Sequence, residues 1–226
     1  MEQMMTEKKD FKHLDTIAAL FVAVLLISNV ASSKIVKIWL FEFDGGTLLF
    51  PLSYIFGDIL TEIYGFKRSR KIIWLGFFSA GLMSLVFAIV AFLKPAPGWE
   101  NQQAFLVILG QTPRIVIASL IAYFSGEYSN SVVLAIMKVK TKGKFLWMRT
   151  IGSTIVGQLV DTLLFVSIAF SFILPWPTLK NVIISNYIFK VGIEIIFTPI
   201  TYLIVNKLKK IENFDYYDKD TIFSPI

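Results

Sequence analysis

Long apolar runs separated by short polar connections restrict this chain to one class of fold. Most runs approach or exceed the roughly 20 residues that a helix needs to cross a hydrocarbon core of about 30 Å. The 226-residue chain is 55% hydrophobic and has a mean hydropathy of +0.67, which indicates an integral membrane protein. We predict an all-α membrane protein, a single domain over residues 1–226, with six spans at residues 14–33, 48–66, 72–93, 113–137, 145–174 and 182–205.

The distribution of Lys and Arg predicts the orientation of these spans. Fifteen of these residues lie in the two tails and the second and fourth connections, against four in the alternate connections. Cytoplasmic loops carry the excess of positive charge, so both tails, residues 1–13 and 206–226, are predicted to be cytoplasmic. The first run exceeds the 7 to 15 residues of a signal-peptide core, so we expect it to remain as a span.

A net charge of +6 is compatible with nucleic-acid binding, but the pattern of basic residues argues against that function. The basic residues separate apolar runs and do not form a stripe with interleaved aromatic residues. We therefore expect the lipid bilayer, and not nucleic acid, to be the partner of these charges.

Two shorter patterns bear on the architecture. Residues 34–50 alternate aromatic and charged side chains before Asp44-Gly45-Gly46, which predicts an extracellular hairpin between the first two spans. Gly57 and Gly157 each begin a similar polar pattern in the second and fifth spans, as in transporters with two inverted halves. Coincidence explains so short a match equally well.

Several chemistries are excluded by missing residues. The chain has no cysteine, and His13 lies among polar residues before the first span, where a solvated tail residue is expected. No G-x-x-x-x-G-K-[ST], H-E-x-x-H or G-x-S-x-G motif occurs. We therefore expect no cofactor, no metal site and no nucleotide-hydrolysing loop.

Eight charged residues remain inside the predicted spans. Each Arg, Lys or Asp at a helix centre costs about 2.5 to 3.5 kcal/mol on insertion scales, so these side chains must pair or face a polar cavity. Two alternatives to a binding role are simple: the arginines near helix ends can reach the interface, and Glu62 can pair with Lys67 or Arg68. The eight are Asp58, Glu62, Arg114, Glu127, Arg149, Asp161, Lys190 and Glu194.

Spacing groups some of these charges with neutral polar residues. Asp58 and Glu62 lie four residues apart and so share one helix face, and Lys190 and Glu194 have the spacing of an intrahelical pair. In the fifth span, Thr150, Thr154 and Asp161 form a stripe flanked by Gln158, beside a small-residue face at Ser153 and Gly157. The excess of acids favours a ligand with hydrogen-bond donors, either a cation or an amide and amine edge such as that of guanine. Acids at this depth also suit proton coupling.

Three motifs carry a resemblance to a known family. They are GDILTEIYG at residues 57–65, the segment from Pro113-Arg114 to Tyr123, and a run that begins at Lys142 or Lys144 and continues through Arg149 to Thr162. Together they make the chain resemble the queuosine precursor transporter family, earlier grouped as putative vitamin uptake transporters. The resemblance extends over about residues 14–209.

The resemblance implies uptake of deazaguanine nucleobases that bear a cyano group (preQ0) or an aminomethyl group (preQ1). Import across the cytoplasmic (inner) cell membrane would supply these bases for salvage into tRNA modification. The resemblance also implies transport without an ATPase partner, and it allows a homodimer. An acid among Asp58, Glu62 and Asp161 would accept from the guanine-like edge, while Arg114 or Gln158 meets the carbonyl side. The implied substrate-binding residues are Asn29, Asp58, Glu62, Arg114, Gln158 and Asp161, whereas Glu127, Lys190 and Glu194 are left for coupling or helix pairing.

Three other functions stay open at this point. A substrate-binding component of an energy-coupling factor vitamin transporter also has six helices, but it needs separate ATPase subunits. An intramembrane enzyme could use Asp58 and Glu62 as acid and base. A scaffold could use its charges only to pair helices.

Overall fold

The computed structural model describes residues 11–140 and 146–212, excluding some side chains within them, among which are those of Asp58, Glu62, Arg149 and Thr150. The described chain is mostly helical, with one small hairpin. Its elements are α1 (Leu14–Ala31), β1 (Ile35–Ile38), β2 (Phe41–Asp44), a 3-10 turn (Gly45–Leu48), α2 (Phe50–Tyr64), α3 (Phe66–Phe92), α4 (Gln102–Leu109), α5 (Thr112–Lys140), α6 (Leu146–Phe170) and α7 (Trp176–Glu212).

Five segments in the described ranges are long and apolar enough to cross a membrane. The prediction of a helical membrane protein is thereby confirmed at this level. Helix α2, with 15 residues, is shorter than the roughly 20 that a full crossing needs, so the sixth span stays a prediction. The five are Leu14–Ala31, Lys67–Phe92, Gln102–Asn130, Ile151–Phe170 and Trp176–Thr201.

Two helix boundaries differ from the predicted ones, because single Gly and Pro residues set them. Helix α3 begins at Phe66 and not at residue 72, because Gly65 adopts φ 86° and makes the whole turn from α2 by itself. The basic residues at 67–71 therefore lie in helical turns and not in a loop. Helix α7 begins at Trp176, since Pro177 falls in its first turn, where no backbone hydrogen bond is lost.

The β1–β2 hairpin packs against the end of α1 and against the first half of α7. Its strands pair antiparallel from Ile35 opposite Asp44 to Ile38 opposite Phe41. Phe43 stacks on Phe189 of α7 with ring centroids 5.3 Å apart. A side chain at Gly46 would overlap the Ser28 carbonyl and the Ser32 hydroxyl, so glycine is what lets the hairpin lie directly on the end of α1.

A carboxylate fastens the beginning of α1 to the end of α7. Glu212 accepts hydrogen bonds from the backbone N–H groups of Lys12 (3.0 Å) and His13 (2.9 Å) and from the Tyr64 hydroxyl (3.2 Å). Glu212 thus satisfies the backbone donor of the N-cap residue His13 and that of the residue before it from another helix. Burial alone would raise the pKa of Glu212, but these hydrogen bonds outweigh it and lower that pKa below its ordinary value.

Helices α5 and α6 approach each other through two glycines. A Cβ at Gly126 would lie 2.8 Å from the Cβ of Asp161, and a Cβ at Gly157 would lie 2.8 Å from that of Asn130. Small residues at such contacts let helix backbones pack closely in membranes. This contact fixes α6, the helix that carries the predicted polar stripe, against its neighbour.

Candidate functional site

A buried ion pair joins α6 and α7. The Lys190 ammonium lies 2.6 Å from Asp161 Oδ2, and each side chain is only 3% exposed. The sequence had suggested Lys190 and Glu194 as an intrahelical pair, whereas this bond joins Lys190 to a different helix. Two opposite charges that leave water together offset much of each other's desolvation cost.

One turn further along α7, Glu194 is held by two neutral donors from α6. Thr154 Oγ1 donates to Glu194 Oε1 at 2.8 Å, and Gln158 Nε2 donates to Glu194 Oε2 at 3.2 Å. The predicted polar stripe of α6 thus faces α7. We call Thr154, Gln158, Asp161, Lys190 and Glu194 the Glu194 cluster. All five lie within apolar segments long enough to span a membrane.

A second acid approaches this cluster from α5. Glu127 follows Gly126, at which a Cβ would lie 2.8 Å from that of Asp161, so this acid belongs to the stretch of α5 that packs against α6. Among the described residues, no group of three His, Cys, Asp or Glu side chains is arranged to hold a metal ion. The site is therefore a place where carboxylates from several helices meet, suited to a ligand that supplies donors.

Some buried acceptors in the helix bundle are left without a partner. Within the described part of the chain, Gln158 Oε1, Asn130 Oδ1 and Asn29 Oδ1 are buried and make no hydrogen bond. An unsatisfied buried polar atom costs about 1 to 3 kcal/mol. A buried acceptor of this kind calls for a partner, which an ordered water, an ion or a ligand can supply.

Two predicted site residues have local partners outside the cluster. Arg114 donates to the carbonyl oxygens of Ile168 and Ser171, both at 2.6 Å, and so caps the end of α6. Ile168 lies seven residues, roughly 10 Å, along α6 from Asp161. Asn29 donates to the Leu25 carbonyl of its own helix at 2.8 Å. Neither contact brings these two side chains to the Glu194 cluster.

The predicted acid pair of α2 cannot be placed in the same way. Asp58 and Glu62 lie four residues apart within α2, as expected, but their side chains lie outside the described residues. An apolar cavity of about 340 Å³ lies between α1, α2 and α7. Its lining includes Ile17, Phe56 and Ile204. Its lining includes no member of the Glu194 cluster, and it offers few hydrogen bonds to a polar base.

The structure also contains a polar centre that the sequence reasoning missed. Asp44 Oδ1 accepts from Ser32 Oγ (2.6 Å) and the Thr47 N–H (3.2 Å), and Oδ2 accepts from Thr47 Oγ1 (2.7 Å) and Asn186 Nδ2 (2.9 Å). We call Ser32, Asp44, Thr47 and Asn186 the Asp44 knot; all are at most 2% exposed. Asp is a preferred N-cap residue, and Asp44 has that role at the 3-10 turn, so its residue type was a signal that the sequence did contain.

Comparison with known proteins assigns the chain to a family. The family model described as "putative vitamin uptake transporter" matches residues 44–204. The chain belongs to this family. The matched range holds the Glu194 cluster and α2, and it confirms the resemblance drawn from the motifs. No solved structure matches the fold significantly.

Curated relatives of this transporter family agree with the assignment. A "Probable queuosine precursor transporter" of Bacillus subtilis is 33% identical over 187 residues, 81% of this chain and 82% of the relative. Another of that name, from Haemophilus influenzae, is 31% identical over 74% of this chain and 70% of the relative. The "Queuosine precursor transporter" of Escherichia coli is 26% identical over 91% of this chain and 92% of the relative. The family is thus one of multi-pass membrane transporters and not of enzymes.

Proposed function

We propose that this protein imports queuosine precursors, the deazaguanine bases preQ0 and preQ1. The protein lies in the cytoplasmic membrane with both termini inside, and the imported base enters salvage for tRNA modification. Support comes from the names of the curated relatives and from the polar chemistry of the bundle.

The observation that carries the proposal is the set of acceptors around Glu194. A deazaguanine presents a ring N–H beside an exocyclic amine, and a carboxylate can accept from both. Glu194 is already oriented by Thr154 and Gln158, and Gln158 retains an unused acceptor. A site rich in acceptors fits such an edge better than it fits an anionic substrate.

Transport by this chain is proposed to need no ATPase. The sequence has no phosphate-binding loop, and Glu127 and Glu194 are carboxylates suited to proton coupling. Both a secondary transporter and a facilitator accord with this. The proposal includes a homodimer, and the oligomeric state of the purified protein is to be measured.

Reconstitution of the purified chain tests the function. Proteoliposomes that contain only this protein should accumulate radiolabelled preQ0 and preQ1 faster than empty vesicles, and unlabelled deazaguanine should compete. Uptake only after addition of ATPase and coupling subunits would indicate an energy-coupling factor component instead. Recovery of the label as a chemically altered product would indicate an enzyme.

A proton gradient distinguishes the two transport modes. Imposing an acidic exterior should raise the level of accumulation for a proton-coupled carrier and leave it at equilibrium for a facilitator. The matched control is the same gradient collapsed by an ionophore.

A further inference from the structure

Of the two acids that the structure places between α6 and α7, Glu194 is better placed than Asp161 to meet a ligand. We infer that Glu194 accepts hydrogen bonds from the ring N–H and exocyclic amine of the transported base, with Gln158 as a neighbouring acceptor. This specificity role rests on the proposed import of deazaguanines, and it fixes which side chain recognises their guanine-like edge.

Hydrogen-bond capacity distinguishes the two acids that the structure places between α6 and α7. Asp161 is 2% exposed and its Oδ2 is occupied by the Lys190 ammonium. Glu194 is only partly buried, and each of its oxygens accepts one bond from a neutral donor. Since a carboxylate oxygen has two lone-pair sites, Glu194 keeps one on each oxygen for two adjacent donors.

The partners of Glu194 also hold it in a fixed plane. Thr154 bonds one oxygen and Gln158 the other, so the carboxylate cannot rotate freely. A receptor group oriented before its ligand arrives loses less entropy on binding. Glu194 is therefore organised for a planar, two-donor edge.

The Gln158 amide is oriented by the same contact. Its NH₂ group points to Glu194, which leaves Oε1 as the free end, buried and without a partner. Both side chains thus present acceptors, and the ligand must bring the donors. In this conformation Gln158 Oε1 is closed off, so it becomes reachable only when the helices part during transport.

These residues differ from the ones that the sequence predicts for the same roles. Asp161 was a candidate for the guanine-like edge and Arg114 for the carbonyl side, but Asp161 pairs with Lys190 and Arg114 caps α6. Glu194, whose role was left open, takes the first task. It lies two turns along α7 from Asn186 and so belongs to one polar stripe with Lys190.

A cycle of protein and ligand changes tests the inference. Uptake of labelled preQ0 into proteoliposomes is competed by unlabelled 7-deazaguanine or 7-deazahypoxanthine, which differ only in the exocyclic amine. For the wild-type protein, we expect the amine to strengthen competition roughly 10- to 100-fold, the range of a hydrogen bond to a charged group. In Glu194→Gln, 7-deazaguanine should compete no more than about twofold better than 7-deazahypoxanthine.

Control variants keep the result interpretable. Glu100→Gln, in an exposed connection, should leave the ratio unchanged. Thr154→Val retains the charge and removes one oriented donor, so it should lower the ratio partially. It also provides a second test if Glu194→Gln yields too little folded protein.

Three outcomes overturn parts of the account separately. If the ratio between the two competitors in Glu194→Gln and Thr154→Val equals that of the wild type, the role of Glu194 is overturned. The same holds if both competitors become weaker by the same factor. Wild-type vesicles that take up no preQ0 contradict the proposed function, and the inference falls with it.

Discussion

The Asp44 knot and the Glu194 cluster are both polar centres inside an apolar bundle, yet they differ in how completely they are satisfied. Asp44 accepts four hydrogen bonds, two on each oxygen, from side chains and backbone that are at most 2% exposed. Glu194 accepts two, is partly exposed, and lies beside an unpartnered amide oxygen. A saturated carboxylate holds structure together, whereas an unsaturated one has capacity for a ligand.

The ion pair within the Glu194 cluster should give the largest change in stability. Lys190→Met leaves Asp161 charged, buried and without this partner, and we expect a loss of about 3 to 5 kcal/mol in the free energy of unfolding. The double variant Lys190→Met/Asp161→Leu should regain most of it. Denaturation in detergent measures both.

A surface pair provides the control for that experiment. Lys37 and Glu42 lie 3.5 Å apart, with the Lys37 side chain 66% exposed. Lys37→Met should change the free energy of unfolding by less than about 1 kcal/mol. Equal losses for Lys37→Met and Lys190→Met would remove the distinction between a buried and an exposed pair.

Asp44→Asn should affect stability and spare recognition. The amide cannot accept all four bonds, so we expect a loss of about 1 to 3 kcal/mol. The concentration of preQ0 at half-maximal uptake, measured on folded protein, should stay within about twofold of wild type, because all four bonds to Asp44 come from the protein itself. A selective loss of preQ0 affinity in a stable Asp44→Asn variant contradicts the structural role.

The glycine contact between α5 and α6 should respond to a single methyl group. Gly157→Ala forces the helices apart and should cost about 1 to 3 kcal/mol. Gly81→Ala in α3, where a Cβ meets nothing within 4 Å, is the matched control and should be neutral or stabilising by up to about 1 kcal/mol. Similar effects of the two substitutions on thermal unfolding would show that the close approach is unimportant.

Glu212 should give the smallest effect, and one that depends on pH. Its pKa lies below the ordinary value when folded, so its stabilising contribution is present above the unfolded pKa of about 4.3 and is lost as pH falls through the lower folded pKa. Wild type should therefore exceed Glu212→Gln in stability at pH 6, and the gap should close on acidification. A gap that widens at low pH has the wrong sign for this account.

Local patterns in the sequence were enough to predict part of this structure. Apolar run length predicted the long helices, and residues spaced on one face predicted the polar stripe from Thr154 to Asp161. The exact helix ends were less predictable, because Gly65 turns the chain in one residue and Pro177 sits inside a first turn.

Contacts between helices could not be derived from local patterns. The partners of Lys190 and Arg114 depend on the relative rotation and depth of α5, α6 and α7. These two quantities cannot be derived from the local patterns of a single sequence. The i, i+4 spacing favoured Lys190 with Glu194, but tertiary packing brought Asp161 to the ammonium. The Asp44 knot joins residues more than 130 positions apart for the same reason.

Direct binding of preQ0 tests the central claim, that the unsaturated cluster and not the saturated knot recognises the ligand. Calorimetry on purified wild type, Glu194→Gln and Asp44→Asn gives three dissociation constants for folded protein. The account predicts a loss of roughly tenfold or more for Glu194→Gln and a change within about twofold for Asp44→Asn. Wild-type affinity in Glu194→Gln, or an equal loss in both variants, would contradict it.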